Sequence, residues 1–287
     1  MSLTAAVSGR KEDGRLDPLK CRDGSRPSVL LAEDSPAARV LTGALLNHIG
    51  CDVDVAEHGE EALSYIKNYD YDLVLMDIEM PVMDGVVAAR EIRTMGGSAA
   101  ATPIVALSAF LADTKKSSFW QEHFDVALSK PAGKHQLHAT IRQVLDFNPA
   151  NSKWLKVNNN DDEQKISEVV GELIEEEKLA KILRNICDAD QVALLRTASA
   201  EISLYSGELA LKHKRQINNE TVRVLQKMCG ISTTFAASKL HFMASGLSAE
   251  ILAGTNENLE PRVIAVCDCA DRTAEILQAK VPDFTGG

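Results

Sequence analysis

The chain has 287 residues, which suggests two domains because a single core seldom grows beyond about 250 residues. It is 45% hydrophobic and 25% charged, as in an ordinary globular protein, and its net charge of −10 argues against a nucleic-acid-binding surface across the whole chain. We find no apolar run of membrane-spanning length and no secretory signal. We therefore expect a cytoplasmic protein, with a disordered leader or linker at residues 1–27.

Residues 28–147 alternate strand and helix patterns. Apolar runs that predict strands lie at Ser28–Asp34, Asp52–Glu57, Asp72–Asp77, Pro103–Ala109 and Asp125–Pro131. Helical spacing predicts helices at 36–48, at 59–68, after Asp84-Gly85, through the 111–121 region and at 134–146. Near-continuous apolar strands that alternate with helices indicate a doubly wound α/β domain, with a five-stranded parallel sheet covered on both faces.

The character of the chain changes after this domain. Residues 148–162 are dominated by Pro, Asn, Ser and Asp and predict a linker. Residues 163–287 contain no strand pattern. Apolar residues recur there at three- and four-residue intervals in the segments 163–184, 190–213, 218–228, 232–246 and 259–279. The second domain is therefore predicted to be all-α, most simply a helical bundle.

Polar residues end four of the predicted strands. Glu33 and Asp34 end the first, Asp77 the third, Ser108 the fourth and Lys130 the fifth. Because ligands of doubly wound sheets bind at the carboxyl ends of the strands, we expect these side chains to meet in one pocket.

This set of residue types suits phosphoryl transfer to a carboxylate. Three converging carboxylates repel one another unless a cation lies among them, and Mg²⁺ prefers such oxygen ligands. Asp77 would then be a nucleophile beside a metal, while Lys130 neutralises phosphoryl oxygens. The Ser108 hydroxyl can donate a hydrogen bond to one of those oxygens. A single Asp at a strand end is usually a turn or cap residue, so the prediction depends on the whole set.

These residues carry a family resemblance. The segment Leu73–Gly85, LVLMDIEMPVMDG, resembles the signature of CheY-like receiver (response-regulator) domains, as do LLAEDS, the LSA strand end and the SKP turn. The resemblance covers residues 28–147 and implies a flavodoxin-like fold in which Asp77 accepts a phosphoryl group from a histidine kinase or phosphotransfer protein. It also implies Mg²⁺ ligands, a turn at Asp84-Gly85 that enters the third helix, and a cis peptide before Pro131. The implied ligands are Glu33, Asp34, Asp77 and the backbone carbonyl of Glu79.

One position departs from the receiver pattern. The residue three before Lys130 is commonly Tyr or Phe in the family, and here it is Ala127. The aromatic that would follow Ser108 inward is therefore missing. Phe110 or Phe124 are the candidates to replace it.

The second half has a shorter resemblance. The segment Leu225–Leu240 resembles the core of a histidine phosphotransfer (HPt) domain, with Gly230, Ala236-Ala237 and Leu240 at the matching positions. The resemblance places the phosphorylatable His at the position of Gln226. An amide is not a nucleophile for phosphoryl transfer. We therefore predict a degenerate HPt-like module that binds a partner protein or self-associates, for example as a homodimer. A generic helical bundle is the alternative.

The sequence is compatible with other functions. His213 and His241 are alternative phosphohistidines, although each is more simply a structural or solvated residue. The chain could also be the receiver–HPt tail of a hybrid sensor histidine kinase that is active in a phosphorelay. Residues 163–287 contain no nucleotide loop, metal-ligand cluster or nucleophile–base pair, so we do not expect an output enzyme, and no helix concentrates the residues of a DNA reader.

Overall fold

The structure is a computed structural model that describes residues 16–108, 122–146, 173–213, 219–254 and 259–281. The predicted linker at 148–162 and the predicted helix through 111–121 lie outside these ranges. Among the described residues, we find no helix with the length and apolarity that a membrane crossing needs.

Five strands form one parallel sheet, which confirms the predicted fold class. They are β1 (Ser28–Ala32), β2 (Asp52–Ala56), β3 (Leu73–Asp77), β4 (Ile104–Ser108) and β5 (Val126–Ser129), in the spatial order β2-β1-β3-β4-β5. The chain moves outward from β1 to β2 and then returns to β3, so the strand order reverses beside β1. Ligands of doubly wound sheets bind at such a point, at the carboxyl ends of the strands.

Helices cover both faces of this sheet. They are α1 (Pro36–His48), α2 (Gly59–Asn68), α3 (Gly85–Thr94), α4 (Gly97–Ala101) and α5 (Lys134–Leu145). Alternate strand residues enter opposite cores: Val29 and Leu31 pack on the side of α1 and α5, while Leu30 and Ala32 pack on the side of α2 and α3. This burial on both faces explains the continuous apolar strands in the sequence. The short helix α4 was not predicted.

Part of the predicted leader is folded onto the sheet domain. Leu19 is buried, and its N–H donates to the carbonyl oxygen of Ile49 at 2.8 Å. The buried His138 on α5 contacts the carbonyl oxygen of Asp17 through Nε2 at 2.8 Å. For residues 16–27 the expectation of a disordered leader was therefore wrong, because one apolar side chain and a few backbone bonds hold the segment in place. Residues 1–15 lie outside the described ranges.

The second half is helical, as predicted, and we call α6–α10 the helical half. Its helices are α6 (Glu176–Leu183), α7 (Asp188–His213), α8 (Asn219–Thr234), α9 (Ser238–Leu252) and α10 (Glu260–Ala279). Helix α7 packs against α8 and α10, and α9 packs against the same two, which gives a four-helix bundle.

The predicted helical segments 218–228 and 232–246 are divided at a different point in the structure. Helix α8 runs through Gly230, and the chain turns at residues 235–237, where Ala236 has a φ of 55°. Phe235 and Ala237 are fully buried at this turn. Hydrophobic packing therefore sets the break, which local propensity did not reveal.

The two halves share one apolar core. Helix α1 of the sheet domain packs against α7 and α8 of the helical half. The buried cluster on that side of the sheet includes Leu41 and Leu45 of α1 and continues to Leu195 and Ile202 of α7. The outer side of α1 is therefore covered by the bundle.

Candidate functional site

Three carboxylates converge at the carboxyl ends of β1 and β3, as the sequence predicted. One oxygen from each of Glu33, Asp34 and Asp77 lies within 4.8 Å of the other two. Glu33 and Asp77 are buried, with relative exposures of 2% and 6%, while Asp34 is half-buried. Neighbouring parallel strands β1 and β3 end side by side, which is why residues 44 apart in the chain share one pocket.

Lys130 reaches the same pocket from the end of β5. Its Nζ lies 2.7 Å from Asp77 Oδ2 and also forms an ion pair with Glu33. The Lys130 N–H donates to the carbonyl oxygen of Ser108 at 2.8 Å, which ties the turn after β5 to the end of β4. The Lys130–Pro131 peptide is cis, as the resemblance implied.

The electrostatics of the pocket show a shortage of positive charge. Burial raises the pKa of Glu33 to about 7, although Lys130 opposes this and Asp77 adds to it. Burial also raises the pKa of Asp77, again against the influence of Lys130. Burial alone would lower the pKa of Lys130, but Glu33 and Asp77 outweigh it and raise that pKa, so the ammonium stays charged. Lys130 contacts only two of the three carboxylates, Glu33 and Asp77, so the pocket keeps negative charge that a cation can neutralise.

The donor set fits a hard divalent cation. All three converging groups supply carboxylate oxygens, which are the ligands that Mg²⁺ prefers. The N–H of Glu79 donates to Asp77 Oδ1 at 3.2 Å, so the Glu79 backbone follows directly along the rim of the pocket. Glu33, Asp34 and Asp77 are thus the three carboxylates that could hold the ion, while the Glu79 carbonyl stays a ligand implied by the resemblance.

Arg39 and Ser35 fix the acidic turn after β1. The guanidinium of Arg39 donates to the carbonyl oxygens of Glu33 and Asp34 at 2.8 and 2.9 Å. Ser35 is the N-cap of α1 and accepts a hydrogen bond from the Ala38 N–H at 3.2 Å. These bonds orient the two carboxylates, and Arg39 was a positioning residue that the sequence reasoning missed.

The turn into α3 depends on Gly85. A β-carbon there would lie 2.0 Å from the Asp77 carbonyl oxygen, and the Gly85 N–H donates to the Ile78 carbonyl at 2.9 Å. Asp84 caps α3 by accepting from the Val87 N–H at 2.8 Å. The expected Asp84-Gly85 turn is therefore present, and it brings backbone against the strand that carries Asp77.

Phe124 does not replace the aromatic side chain that is missing at Ala127. Ala127 is half-buried on β5, whereas Phe124 is 1% exposed within the core beneath α2 and α3. A side chain already buried there cannot follow Ser108 inward. Phe110, the other candidate, lies outside the described residues.

The helical half contacts the rim of this pocket. Lys227 on α8 places its Nζ 3.1 Å from Asp34 Oδ2 and 5.7 Å from the centre of the Tyr205 ring. Glu201 on α7 accepts hydrogen bonds through Oε2 from the Ser35 hydroxyl at 3.1 Å and the Ala37 N–H at 3.0 Å. We call these the docking contacts. No sequence motif predicted these contacts, although Glu201 and Tyr205 are four residues apart and share a helix face.

The predicted HPt positions lie beside these contacts. Gln226 and Gly230 are half-exposed, one turn apart on α8, and the residue after Gln226 is Lys227. A β-carbon on Gly230 would meet nothing within 4 Å, so packing within the described structure does not require glycine there.

The imidazole of His241 contacts polar groups of the neighbouring helix. Its Nδ1 lies 2.9 Å from Thr233 Oγ1 and 3.2 Å from the Cys229 carbonyl oxygen, which links α9 to α8. His213 is the last residue of α7.

Comparisons with known proteins bear on the sheet domain. The family model described as "Response regulator receiver domain" matches residues 29–142. Residues 29–142 are a receiver domain. They are homologous to the receiver domains of hybrid histidine kinases and response regulators, which are two-component signalling proteins.

Several relatives match over the receiver part of the chain. The sensor protein GacS of Pseudomonas syringae is 37% identical over 117 residues, which cover 40% of this chain and 13% of that protein. The transcription factor SKN7 of Saccharomyces cerevisiae is 34% identical over 133 residues, which cover 46% of this chain and 21% of that protein. The chain therefore spans only a minor part of these relatives.

Solved structures match over the same part. The chemotaxis response regulator CheY4 of Vibrio cholerae is 28% identical, with a TM-score of 0.39 over 42% of this chain and 99% of that one. The receiver domain of a sensor histidine kinase from Pseudomonas aeruginosa, described with a magnesium ion in its active site cleft, is 29% identical, with a TM-score of 0.40 over 42% of this chain and 98% of that one.

Proposed function

We propose that the protein is a two-component signalling switch in which Asp77 accepts a phosphoryl group from the phosphohistidine of a kinase or phosphotransfer protein. The observation that carries the proposal is the position of the Asp77 carboxylate. It is held at the point where β1, β3 and β5 bring two further carboxylates and Lys130 together. The receiver match at residues 29–142 supports the same function.

The transfer is a displacement at phosphorus. An Asp77 oxygen forms the new P–O bond, the P–N bond of the donor histidine breaks, and its electron pair returns to the imidazole, which takes up a proton. The Lys130 ammonium, already 2.7 Å from Asp77, neutralises a phosphoryl oxygen, and the Ser108 hydroxyl donates to another. Mg²⁺, when bound by Glu33, Asp34, Asp77 and the Glu79 carbonyl, supplies further positive charge to the phosphoryl oxygens.

In this proposal the chain is a phosphoacceptor and not an enzyme that turns over a separate substrate. Its own chemistry is limited to self-phosphorylation from a phosphohistidine donor and autodephosphorylation. The helical half is an HPt-like module without the phosphorylatable His, since Gln226 stands at that position. It reports the state of the receiver by binding a downstream protein or a second copy. A cytoplasmic location is part of the same proposal.

A phosphorelay tail of a hybrid sensor kinase is the second candidate, because sensor proteins are among the relatives of the receiver. In that case the helical half would carry phosphate. Gln226 counts against it, and the hydrogen-bonded position of His241 Nδ1 supports a structural role for that residue. Acid-labile, base-stable phosphate on residues 173–281 would favour the relay over the switch.

The test is labelling of Asp77. The wild-type chain, incubated with radiolabelled acetyl phosphate and Mg²⁺, is expected to take up label, and Asp77→Asn is expected to take up none because the amide is not a nucleophile. Asp70→Asn, which changes an exposed carboxylate bonded to Ser98, is the matched control and should label normally. Label that persists in Asp77→Asn would refute the assignment.

A further inference from the structure

The docking contacts place a lysine of the helical half on a proposed cation ligand of the receiver. Lys227 Nζ lies 3.1 Å from Asp34 Oδ2, and Asp34 is one of the three carboxylates that share the pocket. Lys130 neutralises the other two, Glu33 and Asp77. Lys227 therefore supplies the second positive charge of the pocket from outside the receiver.

Lys227 lies beside a buried set of contacts between the two halves of the protein. Glu201 is buried, with a relative exposure of 5%, and both of its oxygens have partners. Oε2 accepts from Ser35 and Ala37 at the positive end of α1, and Oε1 accepts from the Tyr205 hydroxyl at 2.7 Å. The Tyr205 ring lies against the Lys227 ammonium. A continuous set of contacts thus links the first turn of α1 to Lys227.

We propose that Lys227 is an internal counter-ion of the receiver that competes with the divalent cation for Asp34, so that cation binding and docking of the helical half oppose each other. The inference rests on the proposed function insofar as that function needs a cation in this pocket. It adds to that function a route by which the receiver site is coupled to α8.

The opposition follows from charge. A divalent cation bound by Asp34 would lie close to an ammonium that contacts the same carboxylate, and like charges at this range repel. The Lys227 side chain is 41% exposed, so its ion pair is weak and can be displaced. Coupling between two binding events is reciprocal: if docking weakens cation binding, cation binding weakens docking by the same factor.

The experiment is a calorimetric titration of the full chain with MgCl₂, without any phosphoryl donor. Lys227→Met, which keeps the length of the side chain and removes its charge, is expected to bind Mg²⁺ about fivefold more tightly than wild type, the range of a partly exposed ion pair. Lys227→Arg should bind as wild type does. Lys178→Met is the matched control, since Lys178 pairs with Glu175 at 2.7 Å on the helical half, outside the docking contacts.

A second measurement reads docking directly. The Ala37 amide, which donates to Glu201, should exchange its hydrogen faster in wild type when Mg²⁺ is added, and this acceleration should shrink in Lys227→Met. Unchanged Mg²⁺ affinity in Lys227→Met, an equal gain in Lys227→Arg, or no Mg²⁺ binding in any variant would overturn the inference. Because no phosphoryl donor is used, an unchanged Mg²⁺ affinity in Lys227→Met overturns this inference without bearing on Asp77 labelling, which decides the proposed function.

Discussion

At the scale of single residues, the Lys130 ammonium offsets the free-energy cost of burying the carboxylates of the pocket. Its ammonium contacts both Glu33 and Asp77, whose carboxylates are buried. Buried carboxylates that lose their counter-charge keep the full cost of desolvation, or must take up a proton. Burial accordingly raises the pKa of Glu33 to about 7.

Replacing Lys130 tests this balance. Lys130→Met is expected to lower the free energy of unfolding at pH 8 by about 3 kcal/mol without divalent cation, because two buried carboxylates lose their partner. Added Mg²⁺ should restore part of the loss. Lys178→Met, which removes an exposed ammonium paired with the half-buried Glu175, should cost about 0.5 kcal/mol or less. Urea titrations monitored by circular dichroism measure both, and equal losses in the two variants would contradict the argument.

At the scale of elements, the approach of α3 to β3 depends on the absence of one side chain. The Gly85 backbone lies where a β-carbon would come within 2.0 Å of the Asp77 carbonyl oxygen, and backbone atoms on both sides cannot move aside easily. The turn that begins α3 and the strand that carries Asp77 are therefore fixed relative to each other.

Gly85→Ala should lower the free energy of unfolding by more than about 2 kcal/mol, because overpacking forces the backbone apart. Gly207→Ala is the matched control: Gly207 lies on α7, a β-carbon there meets nothing within 4 Å, and the change should stabilise by about 0.5–1 kcal/mol through helix propensity. Chemical denaturation measures the pair. A Gly85→Ala variant as stable as Gly207→Ala would show that the turn relaxes freely.

At the scale of the whole molecule, α1 packs against both the sheet and the helical half. It covers the sheet on one side, and α7 and α8 pack on the other, with one apolar cluster passing through all three. Buried Glu201 adds a carboxylate to the positive end of α1, which favours negative charge. The halves should therefore unfold together.

Scanning calorimetry of the full chain is expected to give one transition for wild type. Glu201→Ala removes the bonds to Ser35 and Ala37 and should separate the receiver and the helical half into two transitions, the bundle melting independently. Glu91→Ala, at an exposed pair with Arg90, should keep the single transition. Two transitions already in wild type would show that the docking contacts do not couple the halves.

The sequence predicted the receiver fold and the pocket because both follow from local patterns. Strands buried on both faces are apolar throughout, and polar residues stand out where each strand ends, as Asp77 and Lys130 do. The resemblance to receiver domains also predicted the cis peptide before Pro131 and the turn at Gly85. Helix ends set by packing, such as the turn at Ala236, were not predictable in this way.

By itself, the sequence determined the five-stranded parallel sheet, the helical second half and the residues that meet at the sheet edge. Only the tertiary structure decided that Leu19 folds back onto the sheet domain, that Glu201 caps α1 and that Lys227 pairs with Asp34. For Glu201 and Lys227 the reason is sequence separation. Contacts between residues more than 160 apart in the chain depend on how two folded surfaces fit together. The periodicity and motifs of one surface do not identify the surface that packs against it.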